Sequence, residues 1–134
     1  MIQVADALKI IADNSNKMPI SKIKVSKALG YVLAEAIYSP INMPPFRQSA
    51  MDGYAFNHGD LTQFEVINTS QAGDYVNEKI EQNQAVRIFT GAFVPDDTDT
   101  VVMQEHTKRT ENLLEIEKMP VACANVREVG EQIK

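Results

Sequence analysis

From residue 53 onward the chain is a succession of short apolar runs: "GYAF", "FEVINTS", "AVRIFTGA", "DTVVMQEHTKR" and "NLLEIEKM". They are rich in Val, Ile, Phe and Thr and are separated by turn residues, which is how strands read in a sequence. Strands at this spacing, with no helix between them, confine the chain to a small antiparallel sandwich or barrel. "TKRTEN" reads as the hairpin loop joining the last two runs, and "VACANVREVGEQIK" holds a further strand-like run. The start of the chain differs. In "IQVADALKIIADNSN", Val4, Leu8 and Ile11 share a helical face, and residues 13–16 supply the stop. "KVSKALG" predicts a short second helix ended by Gly30 as its cap. "YVLAEAIYS", closed by Pro40, predicts a strand. The fold class is therefore α+β, mainly β, with the helical start and the β-rich middle meeting at "SPINMPPF".

Composition bounds the partners. The chain has 134 residues, 44% of them hydrophobic, and a formal net charge of -5. That length suits one average domain or two small ones with a real core. An acidic chain without a basic patch lacks the electrostatic footprint for nucleic acid, and none is expected as a partner. Cys123 is the single cysteine, so no disulfide forms within the chain and no thiolate metal cluster can be built. Met1 leads into the helical stretch with no basic flank and no long apolar run, so neither a signal peptide nor a membrane span is expected. A reducing cytoplasm is the expected compartment.

Four stretches could carry chemistry. In "PPFRQSAMDGYAF", Asp52 precedes Gly53, which lets a ligand or another backbone come close. The Asp52 carboxylate could hold a hard cation such as Mg²⁺, or act as a general base with a shifted pKa. Asp-Gly is also the commonest short hairpin signal, and Ser49 could cap such a turn locally. In "RIFTGAFVP", the backbone amides of Thr90, Gly91 and Ala92 could face an anion, with the Thr90 hydroxyl as a further donor. In "PDDTDTVVMQEH", Asp96, Asp97 and Asp99 fail the calcium-loop pattern and read as a solvated loop tip. His58 and His106 are too few for a three-histidine zinc site. In "NVREVGEQ", Arg127 could grip a phosphate through two hydrogen bonds or serve as a surface ion pair.

Taken in order, "ALGYVLAEAI", "PPFRQSAMDGYAF", "AVRIFTGAFVPDDTDTVVMQE" and "ANVREVGEQI" resemble the molybdopterin molybdenumtransferase family, MoeA in bacteria and related to animal gephyrin. The family pattern P-x-x-x-S-x-M-D-G-Y-A is kept through Ser49, Met51, Asp52, Gly53, Tyr54 and Ala55. The resemblance implies insertion of molybdate into adenylylated molybdopterin with release of AMP, helped by Mg²⁺. It implies Asp52, Thr90 and Glu105 as catalytic residues, with Asp52 as the Mg²⁺ ligand. Ser49, Gly53, Gly91 and Arg127 are implied on the substrate side. Two departures stand out: Asp97-Thr98-Asp99 replaces the usual Gly-Ala-Asp, and Gln132 replaces the Asp that commonly ends V-R-x-x-G-E-D.

The resemblance also implies organisation. Residues 1–43 with 127–134 would form an incomplete first domain, and residues 44–126 a β-rich second one. The pterin-binding α/β domain and the C-terminal β domain would be absent, in keeping with an ending, "GEQIK", that has no cap or turn chemistry. In the family the cleft forms between the β-rich domain and the α/β domain of the other protomer of a homodimer. The chain alone is therefore expected to supply one wall of a site and not to catalyse. The rival expectation is a scaffold or interaction module without chemistry of its own, the role gephyrin's architecture illustrates.

Overall fold

A computed structural model describes residues 2–75 and 78–134, which fall into two compact units. One is Met1–Ile37 and the other Tyr38–Lys134.

The first unit holds helix α1, Val4–Asn14. Asp6 sits in its first turn, where negative charge suits the helix dipole. Lys9 and Asp13, one turn apart, pair at 2.6 Å, and the Asn14 amide donates to the Ile10 carbonyl at 2.8 Å. No residue of α1 is buried. The expected second helix contracts to a single 3-10 turn at Val25–Lys27. Gly30 does reverse the chain there, with φ at +87°. The strand expected over residues 31–39 does not form. Val32, Leu33 and Ile37 are exposed, and a strand without a ladder partner leaves its amides and carbonyls to water.

Among its described residues the second unit carries eight strands: β1 Gln48–Ser49, β2 Gly53–Phe56, β3 Gln63–Ser70, β4 Gln84–Ile88, β5 Thr100–Met103, β6 Thr107–Thr110, β7 Leu113–Ile116 and β8 Val126–Arg127. Six of them form one sheet in the order β5-β2-β4-β3-β7-β6, and β1 pairs with β8. The class is α+β, mainly β, as the sequence implies, but the sheet is mixed. β3 and β4 run parallel while the other pairs of the six are antiparallel. The single long run expected at "DTVVMQEHTKR" breaks into β5 and β6 around a 3-10 turn at Gln104–His106. That break lifts Gln104 and Glu105 out of the sheet. "TKRTEN" supplies β6 as well as the loop, and the reversal narrows to Glu111 and Asn112, with Glu111 at φ 55°.

Both faces of the sheet are covered, because side chains alternate along each strand. Tyr54, Phe56, Phe64, Val66, Val102, Leu114 and Ile116 form one cluster, and Ala55, Ile88, Ala92, Val94 and Val101 form another. Burying each large apolar side chain contributes about 1.5–3 kcal/mol. The free edge of β5 is closed by the following chain. Val101 N–H donates to the Ala124 carbonyl at 3.0 Å, and Asn125 Nδ2 donates to the Val101 carbonyl at 2.8 Å. Residues 126–133 lie along residues 43–49 through β1–β8 and a Met43–Ile133 bridge, so 127–134 belong to this second unit.

Candidate functional site

Two turns on neighbouring strands create the site. The first precedes β2. Ser49 is fully buried, its hydroxyl donates to the Met51 carbonyl at 2.7 Å, and its amide donates to the Ala92 carbonyl at 2.9 Å. Ser49 is thus the internal brace of the loop that presents Asp52. Gly53 opens β2 at a point where β5 passes so closely that a Cβ would stand 1.8 Å from the Val102 carbonyl oxygen. The glycine is required by strand packing on that side. The Asp-Gly pair is therefore a strand entry and not a two-residue hairpin.

The second turn follows β4. Phe89, Thr90, Gly91 and Ala92 form a β-turn closed by Ala92 N–H donating to the Phe89 carbonyl at 3.0 Å. Gly91 takes φ +87° at its third position, the conformation a type II turn demands there. Such a turn leaves the amide of its second residue unpaired, and Thr90 uses it. Thr90 N–H and Thr90 Oγ1 both donate to Asp52 Oδ1, each at 2.7 Å. The anion expected over the Thr90–Ala92 amides is thus met from within the chain. Gly91 N–H goes to the Ser49 carbonyl and the Gly91 carbonyl accepts from Gln48, so neither group is left for a ligand.

Met51, Asp52, Thr90, Met103, Gln104 and Glu105 line a pocket of about 250 Å³. All three residues implied as catalytic meet there, from three separate stretches of sequence. The Thr90 amide, then its hydroxyl, hold the Asp52 carboxyl below the usual carboxylate range, with the positive charge of Arg87 adding to the effect. Glu105 is lowered too, first by its own backbone amide and then by the Gln104 carboxamide, while the charge of Asp52 opposes the shift. Both acids are ionised at neutral pH. Two carboxylates facing one pocket attract a cation; Asp52 Oδ1 accepts from both Thr90 donors, and Glu105 Oε1 accepts from the Gln104 carboxamide.

Arg127 stands elsewhere, on β8 opposite Gln48, half-buried and outside the pocket lining. Gln132 is exposed and its amide donates to the Met43 carbonyl at 2.9 Å. Asp99 is structural: its Oδ1 accepts from the His58 amide at 2.9 Å and from Thr100 Oγ1 at 2.7 Å. Asp96 and Asp97 are exposed, as a loop tip should be. Among the described residues no three His, Cys, Asp or Glu side chains converge on a metal position, and no helix is long and apolar enough to cross a membrane.

Sequence reasoning passed over Gln104 and Arg87. Gln104 lines the pocket beside Glu105. Arg87 donates to the Gly53 carbonyl at 2.7 Å and to Gln104 Oε1 at 2.6 Å. The available signal was a lone Arg inside an otherwise apolar strand, "AVRIF".

The family model for the MoeA N-terminal region, domains I and II, matches residues 2–134. The chain belongs to the MoeA family. Among curated MoeA relatives, the molybdopterin molybdenumtransferase of Haemophilus influenzae is 40% identical over 116 residues, covering 84% of this chain and 29% of the relative. That of Staphylococcus epidermidis is 35% identical over 141 residues, covering 99% and 34%. The chain thus spans about a third of the length of the curated relatives it matches. A crystal structure of the molybdopterin biosynthesis MoeA protein from Pyrococcus horikoshii is similar at a TM-score of 0.75 and 29% identity, covering 97% of this chain and 37% of that one. The MoeA match covers all three stretches that build the pocket, "SAMDGYA", "RIFTGA" and "VVMQE".

Proposed function

We propose that the Asp52–Thr90–Glu105 pocket is one wall of a molybdopterin molybdenumtransferase site, at which molybdate is inserted into adenylylated molybdopterin with release of AMP. The observation that carries this reading is the convergence of two ionised carboxylates on one pocket, one of them fixed by two donors from Thr90. Asp52 and Glu105 suit Mg²⁺, which takes one or two carboxylates and fills its remaining positions with water and substrate oxygens. When bound, the ion neutralises phosphate charge and polarises the phosphoanhydride.

The chain's own contribution is placement. Thr90 directs both its donors at Asp52 Oδ1, which orients the carboxylate at the pocket it lines. Ser49 holds the loop behind it, and Gly53 lets β2 lie close enough to β5 for Glu105 to reach the same space. A pocket of about 250 Å³ is too small to enclose an adenylylated pterin, so a second wall from outside this chain completes the site. The chain alone does not turn over. Homodimerisation fits the apolar face of α1, where Val4, Leu8 and Ile11 are exposed.

The test supplies molybdate, Mg²⁺ and adenylylated molybdopterin and follows AMP. A full-length protein carrying these residues should release AMP, and the 134-residue chain should not. In the full-length setting Asp52→Asn should abolish insertion and leave the fold intact. Turnover by the chain alone would sink the claim of insufficiency, and an active Asp52→Asn enzyme would remove Asp52 from the site.

A further inference from the structure

Arg87 lies on β4 directly opposite Tyr54 of β2, in the middle of the sheet rather than at the pocket. Its guanidinium is held on two sides by aromatic rings, 5.2 Å from the Tyr54 centroid and 4.5 Å from that of Phe89. Nη1 donates to the Gly53 carbonyl at 2.7 Å and to the Ile88 carbonyl at 3.0 Å. Nη2 donates to Gln104 Oε1 at 2.6 Å. The Gln104 Nε2 then donates to Glu105 Oε1 at 3.2 Å.

The order of these bonds is dictated by chemistry. Arginine has only donors, so the Gln104 oxygen must face it. The Gln104 –NH₂ group must then face away, and the group it meets is the Glu105 carboxylate, which has only acceptors when ionised. A free glutamine side chain on an exposed turn has no such preference and samples many rotamers. The guanidinium plane, clamped between rings and tied to the two carbonyls that flank the strand crossing, is a rigid anchor for it. The same Gly53 carbonyl follows Asp52 in the chain, so one cation braces the backbone beside Asp52 and the side chain beside Glu105.

We propose that Arg87 is a positioning residue of the pocket: by fixing the Gln104 carboxamide through its oxygen, it turns the amide nitrogen onto Glu105 and holds that carboxylate beside Asp52. The proposal deepens the transferase reading of the same pocket, but its test needs no substrate, so the two can fail separately.

The side-chain –NH₂ of Gln104 reports the arrangement directly in ¹⁵N NMR of the 134-residue chain. In the native chain its order parameter should lie in the rigid range, near about 0.8, whereas in Arg87→Met it should fall below about 0.6. Backbone amides of β2, β4 and β5 should keep their chemical shifts. Arg87→Lys keeps the charge but loses the planar fork, and should also free Gln104; it serves as the folded variant if Arg87→Met does not fold. Glu105→Gln should loosen Gln104 less than either Arg87 variant, because the anchor remains. A Gln104 side chain that is mobile in the native chain, or stays rigid in a folded Arg87 variant, overturns the proposal and leaves Arg87 as sheet packing only.

Discussion

Asp52 and Thr90, 38 residues apart in sequence, are joined by two 2.7 Å hydrogen bonds onto a single carboxylate oxygen. One comes from a turn amide that the β-turn itself leaves unpaired, the other from the hydroxyl on the same residue. Replacing Thr90 by Val removes only the hydroxyl. The Asp52 pKa should rise toward its ordinary value in that variant while the turn persists, because the amide donor is still present. Carboxyl ¹³C titration of the native chain and the variant measures it.

That pairing also sets a pH dependence. The folded-state pKa of Asp52 is lowered from 3.8. A depressed carboxylate stabilises the fold fully above the unfolded-state value and loses that contribution as pH falls through the folded-state value. Glu105, lowered from 4.5, acts in the same sense. Urea midpoints should therefore be flat near neutrality and decline in the acid range below these ordinary values. The decline should be shallower in Thr90→Val.

Gly53 should tolerate no side chain. Its Cβ would stand 1.8 Å from the Val102 carbonyl oxygen and 2.8 Å from the Val102 carbonyl carbon, both backbone atoms that cannot swing aside. Gly53→Ala should cost at least about 3 kcal/mol, the upper end for overpacking, by separating β2 from β5. Denaturant unfolding gives the loss, and amide shifts of residues 53–56 and 100–103 show where it falls.

The core cluster around β3 and β7 makes a separate stability prediction. Phe64 and Leu114 lie opposite each other in the β3–β7 ladder and are both buried. Leu114→Ala should cost about 2–5 kcal/mol through lost burial and a residual cavity, with no effect on the Asp52 or Glu105 titrations. A change in either titration would mean that the pocket feels this part of the core.

The first unit should behave differently from the second when isolated. α1 has 11 residues, none buried, and helices of that length are marginal in water. A peptide of residues 1–37 should show little helical circular dichroism. Residues 38–134 contain every residue of both core clusters and should unfold cooperatively.

The local chemistry was legible in the residues themselves. α1 follows from Val4, Leu8 and Ile11 at helical spacing, and the strands follow from β-branched and aromatic runs, because period and propensity are short-range properties. The motifs around Asp52 and Thr90 pointed to the family. Where a segment depended on partners, the sequence was silent or misleading. Residues 31–39 have the composition of a strand and remain unpaired, since pairing is decided by what lies beside the segment. The parallel β3–β4 pair could not be read from runs that suit either direction. The amides of Gly91 and Ala92, plausible as an anion cradle in isolation, are consumed by contacts from Ser49 and Phe89.

The sequence by itself determined which residues could ionise, which could turn the chain and which family pattern they follow. Only the tertiary structure decided that Asp52 meets Thr90 and shares a pocket with Glu105, and that Arg87 reaches Gln104. Those meetings come from the register of β2 between β4 and β5, set by the buried faces of three strands and by the missing side chain at Gly53. Register is a long-range property, and one residue of slip would turn Arg87 to the opposite face and part the turns that these strands carry.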